Sequence, residues 1–235
     1  MSVWAKKKNW VNTSIESAGS SFAVLLDNDY LYTPKKSMVL LPTLKLAQAV
    51  ADEWSAQKDI IEPQTMPITR LSNSAIDTVY KNFDSILSEI LCFGDTDLVC
   101  YRAESPEDLV SLQETLWDPI LLWAKEKLDV ELKTTKGIIY QPQEPAHKQK
   151  LLQELKSFDY FSLTGFYELV TISGSLLIAL AVFRDYLSPE DGLNRSFLDE
   201  DWQKKQWGQD EESTKNKAYK LDEFQTAFKF LKLLK

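Results

Sequence analysis

Residues 160–183 read YFSLTGFYELVTISGSLLIALAVF, a run of 24 residues in which Glu168 is the one charged side chain. This length is enough to span a lipid bilayer. A carboxylate in the middle of a bilayer is costly, however, and a helix that is apolar on all sides also suits the centre of a bundle. We therefore expect one buried central helix and no stable membrane insertion. At Gly174 and Ser175 we expect close approach by a neighbouring helix, with ligand contact as the alternative.

The sequence on either side of this run predicts two kinds of structure. From His147 onward the chain is predicted to be helical throughout, and in the last segment Leu221, Phe224, Phe228 and Leu231 recur three and four residues apart. The N-terminal quarter instead alternates like a sheet. Residues 22–26 and 30–33 flank an Asp-Asn-Asp turn, which predicts a hairpin, and residues 38–41 predict a third strand.

The middle of the chain predicts further helices. Leu46, Val50 and Trp54 share one helical face, and residues 68–92 carry an apolar stripe that predicts helical structure. Ser105 and Pro106 are predicted to cap and begin the next helix. The predicted fold class is α+β, with a small α/β N-terminal domain containing β-hairpins (residues 1–80), followed by a larger all-α helical bundle domain (residues 81–235).

Composition argues against several classes of function. The formal net charge is −8, and no dense lysine and arginine stripe offsets it, so nucleic-acid binding is disfavoured. One histidine, His147, and two cysteines, Cys92 and Cys100, are too few ligands for a zinc site. We expect His147 in a solvated loop and both thiols reduced. The charge and the polar residues of the apolar run predict a monomer that needs no detergent.

The sequence contains no G-x-S-x-G motif, no phosphate-binding glycine loop and no dinucleotide fingerprint. We therefore predict no catalytic residue, no bound metal and no cofactor. Acidic residues are abundant, so the alternative function is a small-molecule enzyme that uses carboxylates in an interdomain cleft.

Three N-terminal residues are assigned a structural or binding role. Trp54 ends the helix face that begins at Leu46, which indicates burial. Arg70 and Asp77 are seven residues apart, so two helical turns place them on one face. Their pairing predicts a structural polar network near the domain junction, or alternatively a contact with a partner.

The most unusual stretch lies between Ser188 and Ser213, where eight acidic and three basic residues accompany two tryptophans. One interpretation is a solvated helix face whose tryptophans anchor it to the core. The other is an acidic surface that binds a basic partner, because tryptophan is frequent at binding hot spots and carboxylates attract a positive surface. The predicted partner-binding residues are Glu200, Asp201, Trp202, Trp207, Asp210 and Glu211.

Several motifs occur in one order along most of the chain. Residues 66–77 read MPITRLSNSAID, residues 117–119 read WDP, and DEDWQ at 199–203 is followed by WGQDE at 207–211. Taken together they resemble the assembly chaperones of the alpha subunit of the F-type ATP synthase. Further matching pieces lie at 24–27, 33–34, 41–43, 46–47, 53–54, 97–103, 113 and 174–176.

The resemblance implies a non-enzymatic role with the alpha subunit as partner. Such a chaperone binds the unassembled alpha subunit, masks its subunit interface and prevents aggregation until the beta subunit replaces it. A subunit that exposes an interface of that kind aggregates, so a protein that covers the interface protects the free subunit. The first eight residues lack the apolar core of a secretory signal. We expect the cytoplasm of a bacterium, or the mitochondrial matrix if a presequence has been removed.

Overall fold

The computed structural model describes residues 7–208 and 211–235, and of Glu211 the backbone only. The chain divides into two compact units. The first comprises Met1–Phe83 with the returning segments Asp159–Gly165 and Lys229–Lys235; the second comprises Asp84–Phe158 and Phe166–Phe228. The domains 1–80 and 81–235 stay a prediction, because these units are discontinuous in sequence.

The first unit contains a small antiparallel sheet. Its strands are β1 (Thr13–Ala18), β2 (Ser21–Leu26), β3 (Asp29–Tyr30) and β4 (Leu40–Leu41). β2 is central, since β1 pairs along its whole length and both β3 and β4 also pair with it. The predicted hairpin of β2 and β3 is confirmed, and Asp27 at its turn has a φ of 54°. The sequence prediction missed β1, because an edge strand with one large apolar residue carries little periodic signal.

Helix α1 (Leu44–Ser55) covers one face of this sheet. The Thr43 hydroxyl caps it by accepting a hydrogen bond from the Leu46 amide at 3.1 Å. Trp54 is half-buried at the edge of the core, and its ring lies 5.2 Å from that of Trp10. The returning segments contribute Phe161 and Phe230 to the same core. Its other fully or almost fully buried members are Val24, Leu31, Val39, Leu41, Leu46, Ala47, Val50, Ala51, Ile68 and Ala75.

Residues 68–92, predicted to be helical, form helical structure that is interrupted once. The structure has α2 (Pro67–Ser74), one π turn over Ala75–Val79, a break at residues 80–82 and then α3 (Phe83–Asp95). The π turn adds a residue to the helical repeat. Asp77 within it is buried, and its carboxylate accepts hydrogen bonds from the Thr33 hydroxyl at 2.8 Å and the Lys35 amide at 3.3 Å.

The second unit is predominantly helical, and the two units together confirm the predicted α+β class. Two very short strands, β5 (Tyr101–Arg102) and β6 (Thr135–Lys136), form a parallel pair. The remaining helices are α4 (Glu107–Leu128), α5 (Pro145–Lys156), α6 (Tyr160–Ser173), α7 (Leu176–Phe183), α8 (Pro189–Ser196), α9 (Leu198–Trp207) and α10 (Glu211–Leu233). By the division above, the first part of α6 and the last part of α10 belong to the first unit.

The single central helix predicted for residues 160–183 is two helices. Gly174 has a φ of +67°, which ends α6, and the Ser175 hydroxyl caps α7 by accepting from the Ile178 amide at 3.0 Å. The close approach expected at Gly174 is not found, since a Cβ added there would have no neighbour within 4 Å, whereas one added at Gly192 would lie 2.5 Å from Val182 and one at Gly94 2.8 Å from Leu176. Within residues 7–208 and 211–235, no helix combines the length and apolarity that crossing a membrane requires.

Two local predictions near the second unit's loops are also corrected. Pro106 occupies the cap position and α4 begins at Glu107, so Ser105 does not cap it. His147 lies in α5 rather than in a loop, because Pro145 begins that helix at its first position. The His147 Nδ1 atom accepts a hydrogen bond from the Glu131 amide at 3.3 Å.

A fully buried carboxylate holds the start of α7. Asp97 accepts hydrogen bonds from the Ser175 hydroxyl at 2.6 Å, the Leu177 amide at 3.0 Å and the Val99 amide at 3.2 Å. Burial raises the pKa of Asp97 to about 6, and these hydrogen bonds oppose the rise by stabilising the charged form. The seven residues from Leu176 to Val182 are each at most 1% exposed, so α7 is the most deeply buried helix described.

We predict that Trp54→Arg destabilises the first unit by roughly 3 kcal/mol, because the change removes the packing with Trp10 and places a charge beside the apolar core. The same substitution at Trp207, which is 77% exposed, is the matched control and should leave the melting temperature almost unchanged. Urea unfolding of both variants tests this. Equal stability of the two variants would show that Trp54 contributes no core packing.

Asp97 should make stability depend on pH. Its folded pKa lies above the unfolded value of 3.8, so its contribution is fully present below about pH 4 and is lost as the pH rises through about 6. Asparagine cannot titrate, so the stability of wild type relative to Asp97→Asn should fall by on the order of 2 to 3 kcal/mol between pH 4 and pH 7. Urea titrations at both pH values measure this; a difference that is independent of pH contradicts it.

Candidate partner-binding surface

The acidic segment forms two short helices at the surface of the second unit. Pro189 begins α8, and the Ser188 hydroxyl caps it by accepting from the Asp191 amide at 3.0 Å. α9 follows directly and carries three acidic residues in its first turn and two lysines in its last. This order complements the helix dipole and stabilises α9 locally. Gly208, with a φ of 100°, ends the helix.

One side of α9 is fixed to α4. The Gln113 side-chain amide donates to the Asp199 carboxylate at 2.8 Å, and its carbonyl accepts from the Ala103 amide at 2.8 Å. The Trp202 indole N–H donates to Asp108 at 3.0 Å, and Leu198 is buried. These contacts hold α9 in one orientation, so its other side is presented to solvent in a defined way.

The outward side of α9 carries Glu200 and Trp207. Glu200 is exposed, and Trp207 is 77% exposed, which is unusual for so large an apolar ring. The rings of Trp202 and Trp207 meet edge to face, with centroids 6.2 Å apart and planes at 85°. Trp202 is therefore an anchor and Trp207 a projecting ring supported by it. The anchoring interpretation therefore describes Trp202, while partner binding through the exposed Trp207 stays a prediction.

Asp201 is engaged within the second unit. Its carboxylate lies 2.5 Å from the Lys217 Nζ atom of α10 and 3.9 Å from that of Lys204. The Lys217 Nζ atom also lies over the aromatic ring of Phe197, 5.6 Å from the ring centroid. This arrangement indicates that Asp201 joins α9 to α10. Asp210 lies outside the described residues, as does the side chain of Glu211.

The remaining predicted residues lie in the first unit and in different environments. Trp54 is half-buried against the core, Asp77 is buried, and Arg70 is exposed. The π turn begins at Ala75 and contains Asp77, and Arg70 is exposed while Asp77 is buried, so the two residues do not share one face. Asp77 takes part in a structural polar network with Thr33, whereas Arg70 faces solvent.

Metal and thiol chemistry find little support among the described residues. Over residues 7–208 and 211–235, no group of three or more histidine, cysteine, aspartate or glutamate side chains is placed to hold a metal ion. Cys92 is exposed, while Cys100 is buried, and burial raises the pKa of the Cys100 thiol, which keeps it protonated.

The N-terminal half of the chain matches a known protein family. The family model described as ATP12 chaperone protein matches residues 7–125, about half of the chain. The chain belongs to the ATP12 chaperone family. This confirms the family that its motifs predicted.

Relatives and solved structures extend the likeness over the whole chain. Protein atp12, mitochondrial, of Schizosaccharomyces pombe is 26% identical over 230 residues, covering 90% of this chain and 79% of that protein. Atp12 of Paracoccus denitrificans is 39% identical, with a TM-score of 0.95 over 97% of this chain and 98% of that one. The Atu1473 protein of Agrobacterium tumefaciens is 33% identical, with a TM-score of 0.93 over 97% and 86% of the two chains.

Several motif residues have buried structural roles in this ATP12-family chain. Asp97 and Ser175 bind each other at the start of α7, and the Trp117 indole N–H donates to the Arg195 carbonyl at 2.9 Å. Gln113 joins α9 to the segment that precedes α4. The sequence prediction missed the supporting residues Gln113 and Asp108, although Gln113 stood in a matching motif. These motif residues therefore hold the start of α7 and join α4 to α8 and α9.

We predict that Gln113→Ala destabilises the second unit by about 1 to 3 kcal/mol, because it leaves Asp199 and the Ala103 amide without this partner. Gln206→Ala is the control, since Gln206 lies exposed on α9, and it should change stability by less than about 0.5 kcal/mol. Thermal unfolding measures both. A melting temperature for Gln113→Ala equal to that of Gln206→Ala would remove the support proposed for α9.

Proposed function

We propose that this chain is a non-enzymatic assembly chaperone that binds the unassembled alpha subunit of the F-type ATP synthase. It masks the subunit interface of its client and prevents aggregation until the beta subunit takes its place. The observation that carries the proposal is Trp207, a ring 77% exposed on a helix that internal hydrogen bonds hold in place. Membership of the ATP12 chaperone family supports a client protein rather than a small-molecule substrate.

The chemistry of α9 fits a client surface with an apolar pocket and a basic border. An exposed tryptophan loses a large apolar area to a partner on binding, and its support by Trp202 limits the side-chain entropy lost. Glu200 lies seven residues before Trp207 in the same helix, which is about two turns, and attracts a positive border. Charges at the border of an interface mainly increase the association rate.

Exchange for the beta subunit requires an interface that protects without binding permanently. A single aromatic anchor with charges that remain close to water gives a moderate affinity, since surface ion pairs contribute little once formed. A larger obligate interface then displaces it by burying more apolar area. We propose that the chain acts as a monomer in the cytoplasm of a bacterium, or in the mitochondrial matrix if a presequence has been removed.

Two substitutions on α9, one that reverses a charge and one that removes an aromatic ring, test the proposal. Glu200→Lys and Trp207→Ala should each weaken capture of purified, unassembled alpha subunit about tenfold or more, while the melting temperature changes by at most a few degrees. The loss in Glu200→Lys should appear mainly in the association rate and should shrink at high salt. Surface-coupled binding kinetics at two ionic strengths measure both effects.

Glu126→Lys is the matched control, because Glu126 is exposed on α4 and the change alters net charge equally. Normal capture by this control, together with loss in the α9 variants, assigns the effect to position rather than to total charge. If both α9 variants capture the alpha subunit as wild type does, α9 is not the binding surface. If wild type itself fails to capture it, the proposed client is wrong.

A further inference from the structure

A cleft of about 440 Å³ lies between α9 and α10, within the second unit. This volume falls in the lower part of the range found for ligand sites in proteins. Three residues from each helix form most of its described lining: Asp201, Lys204 and Lys205 of α9, and Lys217, Ala218 and Leu221 of α10. We call these six residues the basic cleft.

The charge of the basic cleft is opposite to that of the acidic segment beside it. Its three lysines and one aspartate give a net charge of +2, whereas residues 188–213 carry eight acidic and three basic residues. The Asp201 carboxylate lies 2.5 Å from the Lys217 Nζ atom and 3.9 Å from that of Lys204, so two ammonium groups share one counter-charge. Like charges held this close repel one another, and a bound anion would relieve that repulsion.

The remaining neighbours of the cleft on α10 leave this positive charge in place. Thr214 also lines the cleft and is uncharged. Lys220 and Asp222, on either side of Leu221 in the sequence, carry opposite charges, and the Lys220 Nζ atom lies over the ring of Phe197 at 5.0 Å. The excess of positive charge therefore comes from the lining itself.

The cleft also has an apolar wall. Leu221 continues the apolar spacing of the last helix, yet it is only half-buried, whereas Phe224 in the next turn is fully buried. Ala218 is exposed beside it, and lysine side chains add aliphatic stems below their charged ends. A ligand that fits the cleft therefore combines an anionic group with an apolar part.

The basic cleft adjoins the side of α9 that is proposed to bind the client. Lys204 follows Glu200 by four residues and precedes Trp207 by three, and residues at these spacings are neighbours on a helix surface. A partner that covers the Trp207 ring therefore reaches the edge of the cleft along the same helix.

We infer that the basic cleft binds an acidic segment of the unassembled alpha subunit, with a carboxylate between the lysines and an apolar side chain against Leu221; this rests on the function proposed above. A carboxylate suits the cleft better than a phosphate does, because Asp201 repels a doubly charged group more strongly. With Glu200 facing a basic group and the cleft an acidic one, α9 presents charges of both signs, which fixes the orientation of the client.

Two double variants with the same change in net charge test the inference. Lys204→Gln with Lys205→Gln neutralises the cleft, whereas Lys127→Gln with Lys136→Gln neutralises two exposed lysines elsewhere in the second unit. Surface-coupled kinetics with purified alpha subunit should show capture weakened about tenfold or more in the cleft variant and less than about twofold in the control. Lys204→Arg with Lys205→Arg keeps both charges and should capture within about threefold of wild type.

The rate constant that changes distinguishes an occupied cleft from a general attraction. The Lys204 side chain is 17% exposed, and removing one partner of a desolvated charge pair mainly raises the dissociation rate. We therefore expect the cleft variant to release the alpha subunit faster. A loss confined to the association rate, or an equal loss in the control, overturns the inference.

The other outcomes separate this inference from the function it rests on. No capture by wild type overturns the proposed function, whereas equal capture by wild type and a folded cleft variant overturns only the inference. A wild-type dimer in sedimentation that the cleft variant loses assigns the cleft to a second copy. Saturable calorimetric binding of inorganic phosphate, with alpha-subunit capture unaffected by it, assigns the cleft to a small anion; either result overturns the inference.

A cross-linking readout needs no variant and so does not depend on one that folds. A water-soluble carbodiimide joins a carboxylate to a lysine amine in contact with it, with loss of water. In the complex of wild type with alpha subunit, mass spectrometry should find links from Lys204 or Lys205 to an aspartate or glutamate of the alpha subunit, and none from Lys127. Complete capture without a link from any lysine of the basic cleft overturns the inference.

Discussion

The buried carboxylate of Asp97 is the interaction on which the second unit depends. It accepts three hydrogen bonds, one from the Ser175 hydroxyl that caps α7 and one from the Leu177 amide in its first turn. An amide at a helix N-terminus has no partner within its helix, and burying it unpaired costs free energy. Asp97 therefore allows a helix to begin inside the core. α4 and α8 pack against the buried helix that results, and α9 packs on both of them.

In the first unit, too, a carboxylate accepts hydrogen bonds from the backbone amides at the start of a helix. Glu53 of α1 accepts hydrogen bonds from the Ile68 amide at 2.8 Å and the Thr69 amide at 2.7 Å, at the start of α2. Burial raises the pKa of Glu53, and the bonds from Thr69 and Ile68 oppose the rise. Because Glu53, Asp97 and Gln113 all stand in the motifs that identify the family, those motifs are explained largely by folding. The surface proposed for the client lies on α9, where Glu200 and Trp207 are exposed.

Much of the fold followed from local pattern, since alternation predicted the β2–β3 hairpin and periodicity predicted α1 and the helical second half. The sequence predicted which segment carries the candidate site, residues 188–213, and Trp207 was among the residues named. Its division into roles was not predictable, because Trp202 and Asp201 find partners in α4 and α10, 94 and 16 residues away in sequence. Composition gives no information about such distant pairing.

The sequence by itself determined the class of fold, the family and the acidic, aromatic character of α9, because these depend on residue type and on spacing along the chain. Tertiary structure decided where helices break and which side chains remain exposed. Residues 160–183 show the difference: apolarity favours one long helix, yet Gly174 ends α6 and Asp97 pairs with the first turn of α7. Leu31 and Tyr32 show it too, since these neighbouring residues are 4% and 55% exposed. Burial is a property of what packs against a side chain, and only the folded chain supplies that neighbour.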